Sequence, residues 1–283
     1  GGYSAARNNR PAKAGSSSSA GKDTRTQTDF QKLARLRPSG EKKPQVAPLN
    51  TSPYRFGACP DSSLLRPKGH ARIDNSVRIE LISGYGVLRI TPIQNTVIRI
   101  QFQKNGSGGF MPCYWDRTPQ TSGFWKVKEG KQLAEITTGS LSIRVERKTG
   151  AVQFFDPQGK QLLTEKADLP RQTETGGLPQ HWVYFDWAKS EPLFVKGILA
   201  DDLERINQKA RYISFGGKKM RLPLLVSGYG YGIAPAAEQT AMCCTIPMYG
   251  TYLYTEGSTQ IDYYFLYGGS LKGVLELYRD FIL

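Results

Sequence analysis

The stretch MRLPLLVSGYGYGIA at 220–234 constrains this chain more than any other. Leu222, Leu224, Leu225 and Val226 form an apolar run that stops at Ser227 and Gly228. Tyr229, Tyr231 and Ile233 then alternate with Gly230 and Gly232. This is the pattern of two strands joined by a tight turn, in which glycine supplies the positive φ that other residues resist. A chain built around such a hairpin needs further strands to bury it.

Those strands are legible downstream of about Val77. Val87 and Arg89, then Ile98, Ile100 and Phe102, begin a period-2 pattern. Leu141, Ile143 and Val145 face one way while Ser142, Arg144 and Glu146 face the other. Turns at Lys148-Thr149-Gly150 and at Pro157-Gln158-Gly159-Lys160 fold the segment 141–165 into a three-stranded meander. HWVYFDW at 181–187 reads as one more strand, and residues 251–255 and 260–267 as a further hairpin. Many short strands with a turn every ten or so residues predict an all-β antiparallel β-sandwich. The end departs from this pattern. Ser270 is placed to cap a helix, and Leu271, Val274, Leu275, Tyr278, Phe281 and Ile282 recur at helical spacing. That apolar stripe is expected to stay exposed in this chain alone.

Residues 1–70 read differently. Gly, Ser, Pro, Asn and basic residues dominate, with few apolar anchors beyond Phe30, Leu33 and Leu36, so a disordered N-terminal tail is expected there and a sandwich over 71–283. The tail holds 13 Lys and Arg against 4 Asp and Glu, so most of the chain's +14 formal charge lies in it. No aromatic ladder or base-reading motif accompanies that charge, and nucleic acid is not an expected partner. No window reaches the ~18–20 continuous apolar residues of a membrane helix, so no membrane partner is expected either. The N-terminus shows no apolar signal core, which leaves the compartment open with the cytoplasm slightly favoured.

Metal and histidine chemistry are thinly supplied. His70 and His181 are the only histidines, and Cys59, Cys113, Cys243 and Cys244 form no ligand pattern. Neither a metal nor a cofactor is expected. Trp182 and Trp187 sit in the HWVYFDW strand and are expected in the core. Trp115 and Trp125 fall in a Gly/Pro-rich stretch, where an aromatic face could stack on a sugar ring.

The order of the pieces carries a resemblance. LPLLVS-GYG is followed by DYYF at 262–265, then Gly268 and Ser270, then Tyr278-Arg279. This resembles the N-terminal, galactose mutarotase-like β-sandwich (a supersandwich) of glycoside hydrolase family 31, the α-glucosidase and α-xylosidase family. The resemblance implies a non-catalytic portion of a retaining α-glycosidase acting on terminal α-glucosides. The family's two catalytic carboxylates come from a barrel that follows the sandwich, in a Trp-x-Asp-Met motif that does not occur here. No catalytic residue is therefore assigned, and the absent barrel is the implied partner. The sandwich also resembles the aldose epimerases, whose paired histidines this chain cannot supply. The competing reading is a stand-alone carbohydrate-binding or scaffolding sandwich.

The family's sandwich sends a loop over the barrel mouth to touch the sugar, and here that position falls at 197–219. The segment holds Asp201, Asp202 and Glu204, the amides Asn207 and Gln208, and the aromatics Tyr212 and Phe215. The resemblance assigns substrate contact to Tyr212, Phe215 and Asp202. The family's Asp in this loop has no counterpart beside Tyr212-Ile213-Ser214-Phe215. Leu203, Ile206 and Ala210 fall at near-helical spacing, so a surface helix is the alternative.

Overall fold

The computed structural model describes residues 54–55, 76–81, 86–104, 125–130, 132–146, 149–196, 202–214, 223–236 and 240–281. The strands begin with β1 (Tyr54–Arg55), β2 (Val77–Leu81), β3 (Gly86–Gln94) and β4 (Val97–Gln103). Five follow in sequence: β5 (Lys126–Glu129), β6 (Leu133–Thr137), β7 (Ser142–Glu146), β8 (Val152–Phe155) and β9 (Gln161–Thr164). Next come β10 (Arg171–Glu174), β11 (Gln180–Tyr184), β12 (Leu193–Lys196), β13 (Leu203–Arg205) and β14 (Ala210–Ser214). The last are β15 (Leu225–Ser227), β16 (Tyr231–Pro235), β17 (Ala241–Cys244), β18 (Tyr252–Glu256) and β19 (Ile261–Tyr267). One helix, α1 (Leu271–Phe281), closes the described chain. It is too short to cross a membrane, and among the described residues no helix is long and apolar enough to do so.

The strands form three sheets. A nine-stranded sheet runs β1-β2-β3-β4-β19-β16-β15-β12-β13, and two five-stranded sheets run β10-β11-β18-β17-β14 and β5-β6-β7-β8-β9. The molecule is an all-β antiparallel sandwich with a C-terminal helix. The expected meander is present as β7, β8 and β9, extended upstream by β5 and β6. The predicted central hairpin is β15 and β16, with Gly230 at φ +90° in the turn between them. The first strand, β1, pairs with β2 and lies upstream of residue 71; the rest of 1–70, with the patch at Phe30 and the thiol of Cys59, is outside the described residues.

Alternation gives the faces. One face of the nine-stranded sheet buries Ile79, Leu88, Ile100 and Phe265 against Ile136, Ile143 and Phe154 of one five-stranded sheet and Val183, Cys243 and Leu253 of the other. Phe154 and Phe265 stack across this layer, with ring centroids 3.9 Å apart. Each such side chain removed from water stabilises the fold by about 1.5–3 kcal/mol. Polar contacts, at about 1 kcal/mol net, therefore act as specifiers rather than as the main driving term.

Two expectations need correction. Residues 251–267 do not form a hairpin: β18 pairs with β11 and β17, whereas β19 pairs with β4 and β16 in the other sheet. Both strands are buried on both faces, so alternation could not choose their partners. The connection is pinned instead by Gly257 N donating to Pro179 O. The second correction concerns α1. Ser270 caps it as expected, Oγ accepting from Gly273 N at 3.0 Å. Part of its stripe, however, is covered: Val274 and Tyr278 are buried with Val97, Val226 and Leu266 on the outer face of the nine-stranded sheet. Leu271 and Leu275 pack partly against the same cluster, and the side chains of Phe281 and Ile282 are outside the described residues.

The helix reaches the sheet because glycines let backbones touch. A Cβ on Gly268 would lie 2.2 Å from Val274 N, and one on Gly273 would lie 2.1 Å from Gly268 O. Gly232, in the middle of β16, leaves room for Val274, whose Cγ1 would be 2.7 Å from an added Cβ. Glycine here makes space for a close approach.

Candidate functional site

The segment carrying the expected sugar contacts is neither a loop throughout nor a helix. Residues 202–214 are two short strands that belong to different sheets. β13 pairs with β12 at the edge of the nine-stranded sheet, and β14 pairs with β17 at the edge of a five-stranded one. The apolar positions read as a helical stripe are instead single plugs, with Ile206 fully buried between the strands.

The crossing is held by side chains acting as backbone. Asn207 Oδ1 accepts from Leu193 N at 2.9 Å and from Arg205 Nε at 3.0 Å, and its Nδ2 donates to Glu191 O at 2.7 Å. Ile206 N donates to Leu193 O at 2.9 Å. On the other side Thr245 Oγ1 donates to Ile206 O, and Lys209 O accepts from Thr245 N. Gln208 sits between them at φ +61°, a conformation that a residue with a side chain keeps only when its surroundings demand it.

The three assigned positions fare differently. Asp202 is exposed ahead of β13. Tyr212 is half-buried on β14 and packs against the aromatic layer on the outer face of its sheet. Phe215 and Asp201 are outside the described residues. Tyr212 ends a row across that sheet, through Met242, Tyr254 and Trp182 to Gln172. Tyr254 of this row bonds to a neighbouring pair: Gln180 Nε2 donates to Tyr254 Oη at 3.0 Å, and Tyr254 donates to the Glu256 carboxylate. Burial first, then the Glu256 carboxylate, pushes the Tyr254 phenol far above its usual range. Trp182 is buried, and so is Trp187 near the central hairpin, as expected. Trp125 packs partly into the main core, and Trp115 is outside the described residues.

A second group, missed in the sequence, adjoins the crossing. Glu191 Oε2 accepts from Ser227 Oγ at 2.6 Å and from the Tyr231 phenol, at the two ends of the central turn. Ser227 Oγ accepts from Tyr229 N at 3.0 Å, and Pro192 O accepts from Gly228 N at 2.7 Å. Burial pushes the Glu191 carboxyl up, while the two hydroxyls hold it down. Ser227 and Tyr231 lie in the one stretch that stood out; Glu191 is an isolated acid in a connection, with no pattern to mark it.

The other buried carboxylates are also engaged. Glu165 accepts from Arg171 and Tyr263, each at 2.7 Å, and from Val152 N at 3.0 Å. Asp262, the acid of DYYF, takes a bidentate pair from Arg99 at 2.9 and 2.6 Å, with Gln260 Nε2 at 2.9 Å. His181 is buried, with Nε2 donating to Ser258 O at 2.6 Å and Nδ1 beside Thr173 Oγ1 at 3.0 Å. A carbonyl can only accept, so the proton lies on Nε2. Of the acid run at 201–204, Glu204 pairs with Arg211 at 3.2 Å and Asp202 is exposed. Among the described residues no group of three or more His, Cys, Asp or Glu is placed to hold a metal. The buried groups hold elements in place: among the described residues the buried carboxylates Glu165, Glu191 and Asp262 each accept from fixed donors.

No protein-family model and no curated protein matches the chain. Solved structures do match in shape. A family 31 dextranase of Flavobacterium johnsoniae, complexed with glucose, matches with a TM-score of 0.60 and 20% identity over 73% of this chain and 26% of the dextranase. The cycloalternan-forming enzyme of Listeria monocytogenes, complexed with a pentasaccharide substrate, gives 0.59 and 15% over 72% of this chain and 21% of its own. A family 31 α-xylosidase from a soil metagenome, complexed with xylose, gives 0.54 and 16% over 68% and 32%. What the chain shares with these enzymes is a fold. It spans between about a fifth and a third of their length. At this identity the likeness fixes the arrangement of strands and leaves the site residues to be argued from this chain.

Proposed function

We propose that this chain is the N-terminal, galactose mutarotase-like sandwich of a family 31 retaining α-glycosidase, acting on terminal α-glucosides when complete. The observation that carries the reading is the shape match, which takes in 73% of this chain but only 26% of the dextranase. In this reading residues 1–70 are a basic tail, from which β1 joins the sandwich of 71–283, with α1 leading into the catalytic barrel. The sandwich packs on that barrel and contributes no catalytic carboxylate. The engagement of Glu165, Glu191 and Asp262 by fixed donors supports this, because retaining hydrolysis needs two carboxyl groups free to flank the glycosidic oxygen. The crossing at 202–214, with Asp202 and Tyr212, and the following Phe215 are the parts lent to the sugar pocket. Sugars bound to the matching enzymes, glucose and xylose among them, support a carbohydrate ligand.

The test has two arms. The gene is read past Leu283 for a barrel bearing Trp-x-Asp-Met, and the chain alone and the longer product are assayed on chromogenic α-glucosides and α-xylosides. A barrel and turnover confined to the longer product are expected. A stop codon at that point favours the stand-alone carbohydrate-binding sandwich. Turnover by the chain alone that disappears in Asp202→Asn would overturn the non-catalytic role.

A further inference from the structure

We propose that Asn207 is a positioning residue: it fixes the crossing at 202–214, and with it Asp202 and Tyr212, in the pose the sugar pocket requires. The inference rests on the pocket role given above to that segment. An amide in this part of the sequence looks like a hydroxyl ligand, but its bonds are already made. Oδ1 accepts from Leu193 N and Arg205 Nε, and Nδ2 donates to Glu191 O. The side chain thus pairs with residues 191 and 193 as a strand would, just where β13 ends and the chain must leave its sheet. Its neighbours are strained or buried to match, with Gln208 at φ +61° and Ile206 fully buried.

Glu191 makes this more than a local turn. Its carbonyl holds Asn207, while its carboxylate holds Ser227 and Tyr231 of the central hairpin. One residue therefore links the crossing to the central hairpin of the nine-stranded sheet. On the far side, Thr245 carries the same turn to β17. Without the amide, the turn at Gln208 keeps Thr245 and the Glu204–Arg211 ion pair but loses its tie to residues 191 and 193.

Asn207→Ala and Asn207→Asp separate the pairing from the shape of the side chain. The aspartate still accepts from Leu193 N but cannot donate to Glu191 O. In the 283-residue chain, hydrogen exchange in Asn207→Ala is expected to rise by ~10-fold or more at Leu193 and across 210–213, because opening of the crossing becomes cheaper. Asn207→Asp should keep Leu193 protected and speed exchange at 210–213; it carries the comparison if the alanine variant does not fold. In the longer gene product, either variant should raise KM for a chromogenic α-glucoside by ~5–10-fold with kcat within about twofold. Unchanged exchange at 210–213 overturns the positioning role itself. Faster exchange with unchanged KM, or no glycosidase activity in the longer product, overturns the pocket reading on which it rests and leaves Asn207 a structural residue.

Discussion

Tyr263 donates to Glu165 at 2.7 Å across the sandwich, from β19 of the nine-stranded sheet to the end of β9. Both residues are fully buried. The Glu165 carboxylate also accepts from Arg171 of β10 at 2.7 Å and from Val152 N of β8 at 3.0 Å, so it meets all three sheets. Burial pushes this carboxyl up, and the Arg171 guanidinium pulls it down.

Removing one donor at a time should show what the junction is worth. Tyr263→Phe keeps the ring and deletes one bond to a charged group, an expected loss of about 1.5–3 kcal/mol. Arg171→Met leaves the carboxylate buried without its cation, and about 3–5 kcal/mol is expected. Urea unfolding reads both as a lower midpoint at constant slope. Equal losses in the two variants would mean that Glu165 is protonated in the folded chain, where a neutral acid needs no cation.

Gly268→Ala tests the docking of α1. Its Cβ would meet the backbone of Val274 and Gly273 at 2.2 and 2.3 Å, where no side chain can swing away. Overpacking of this kind costs about 1–3 kcal/mol and more when backbone must move. Gly159→Ala is the control: it has φ +84° and open space, so only the left-handed penalty of about 1–2 kcal/mol applies. A Gly268→Ala midpoint no lower than that of Gly159→Ala would show that the helix can shift freely on the sheet.

Strands were legible wherever one face is wet. β7 alternates intermediate and buried positions, and its pattern is visible in Ser142, Arg144 and Glu146. β18 and β19 are buried on both faces, so their existence was readable and their pairing was not. The crossing at 202–214 failed as a reading for a related reason. Ile206 is an isolated plug between two strands of different sheets, and its spacing from Leu203 and Ala210 imitates a helix. Tyr212 is singled out in the sequence by the family resemblance alone; Glu191 is marked by nothing, since its partners Ser227 and Tyr231 lie 36 and 40 positions away.

His181 should bend the stability of the chain at mildly acid pH. Burial holds its imidazole below the ordinary value of 6.5, against a smaller opposing effect of the Ser258 carbonyl. As pH falls below 6.5 the unfolded chain takes up a proton before the folded one does. The unfolded state then binds more protons, so stability declines as pH falls towards the depressed folded pKa. Above 6.5 the contribution is complete and flat. Urea midpoints measured from pH 7.5 to 5 should fall in the native chain, and His181→Gln should flatten that limb. Identical slopes in the two chains would place the acid sensitivity elsewhere.

Tyr212 offers the sharpest division between packing and recognition. It ends the row Gln172, Trp182, Tyr254, Met242, Tyr212, and it is only half-buried against that cluster. Tyr212→Ala removes that packing. A loss of about 1–2 kcal/mol is expected in the 283-residue chain, below the 3–5 kcal/mol of a fully buried ring. Tyr212→Phe keeps that packing and deletes the hydroxyl, so it should unfold closer to the native midpoint than Tyr212→Ala does. Under the proposed function, the hydroxyl is the group assigned to the sugar in a longer gene product. A site built to hydrogen-bond a substrate loses transition-state binding when the bond is deleted, and a fall in kcat/KM worth about 1–3 kcal/mol is expected for Tyr212→Phe. If Tyr212→Phe leaves kcat/KM unchanged while Tyr212→Ala lowers the urea midpoint, the residue packs its sheet and the sugar contact assigned to it is wrong.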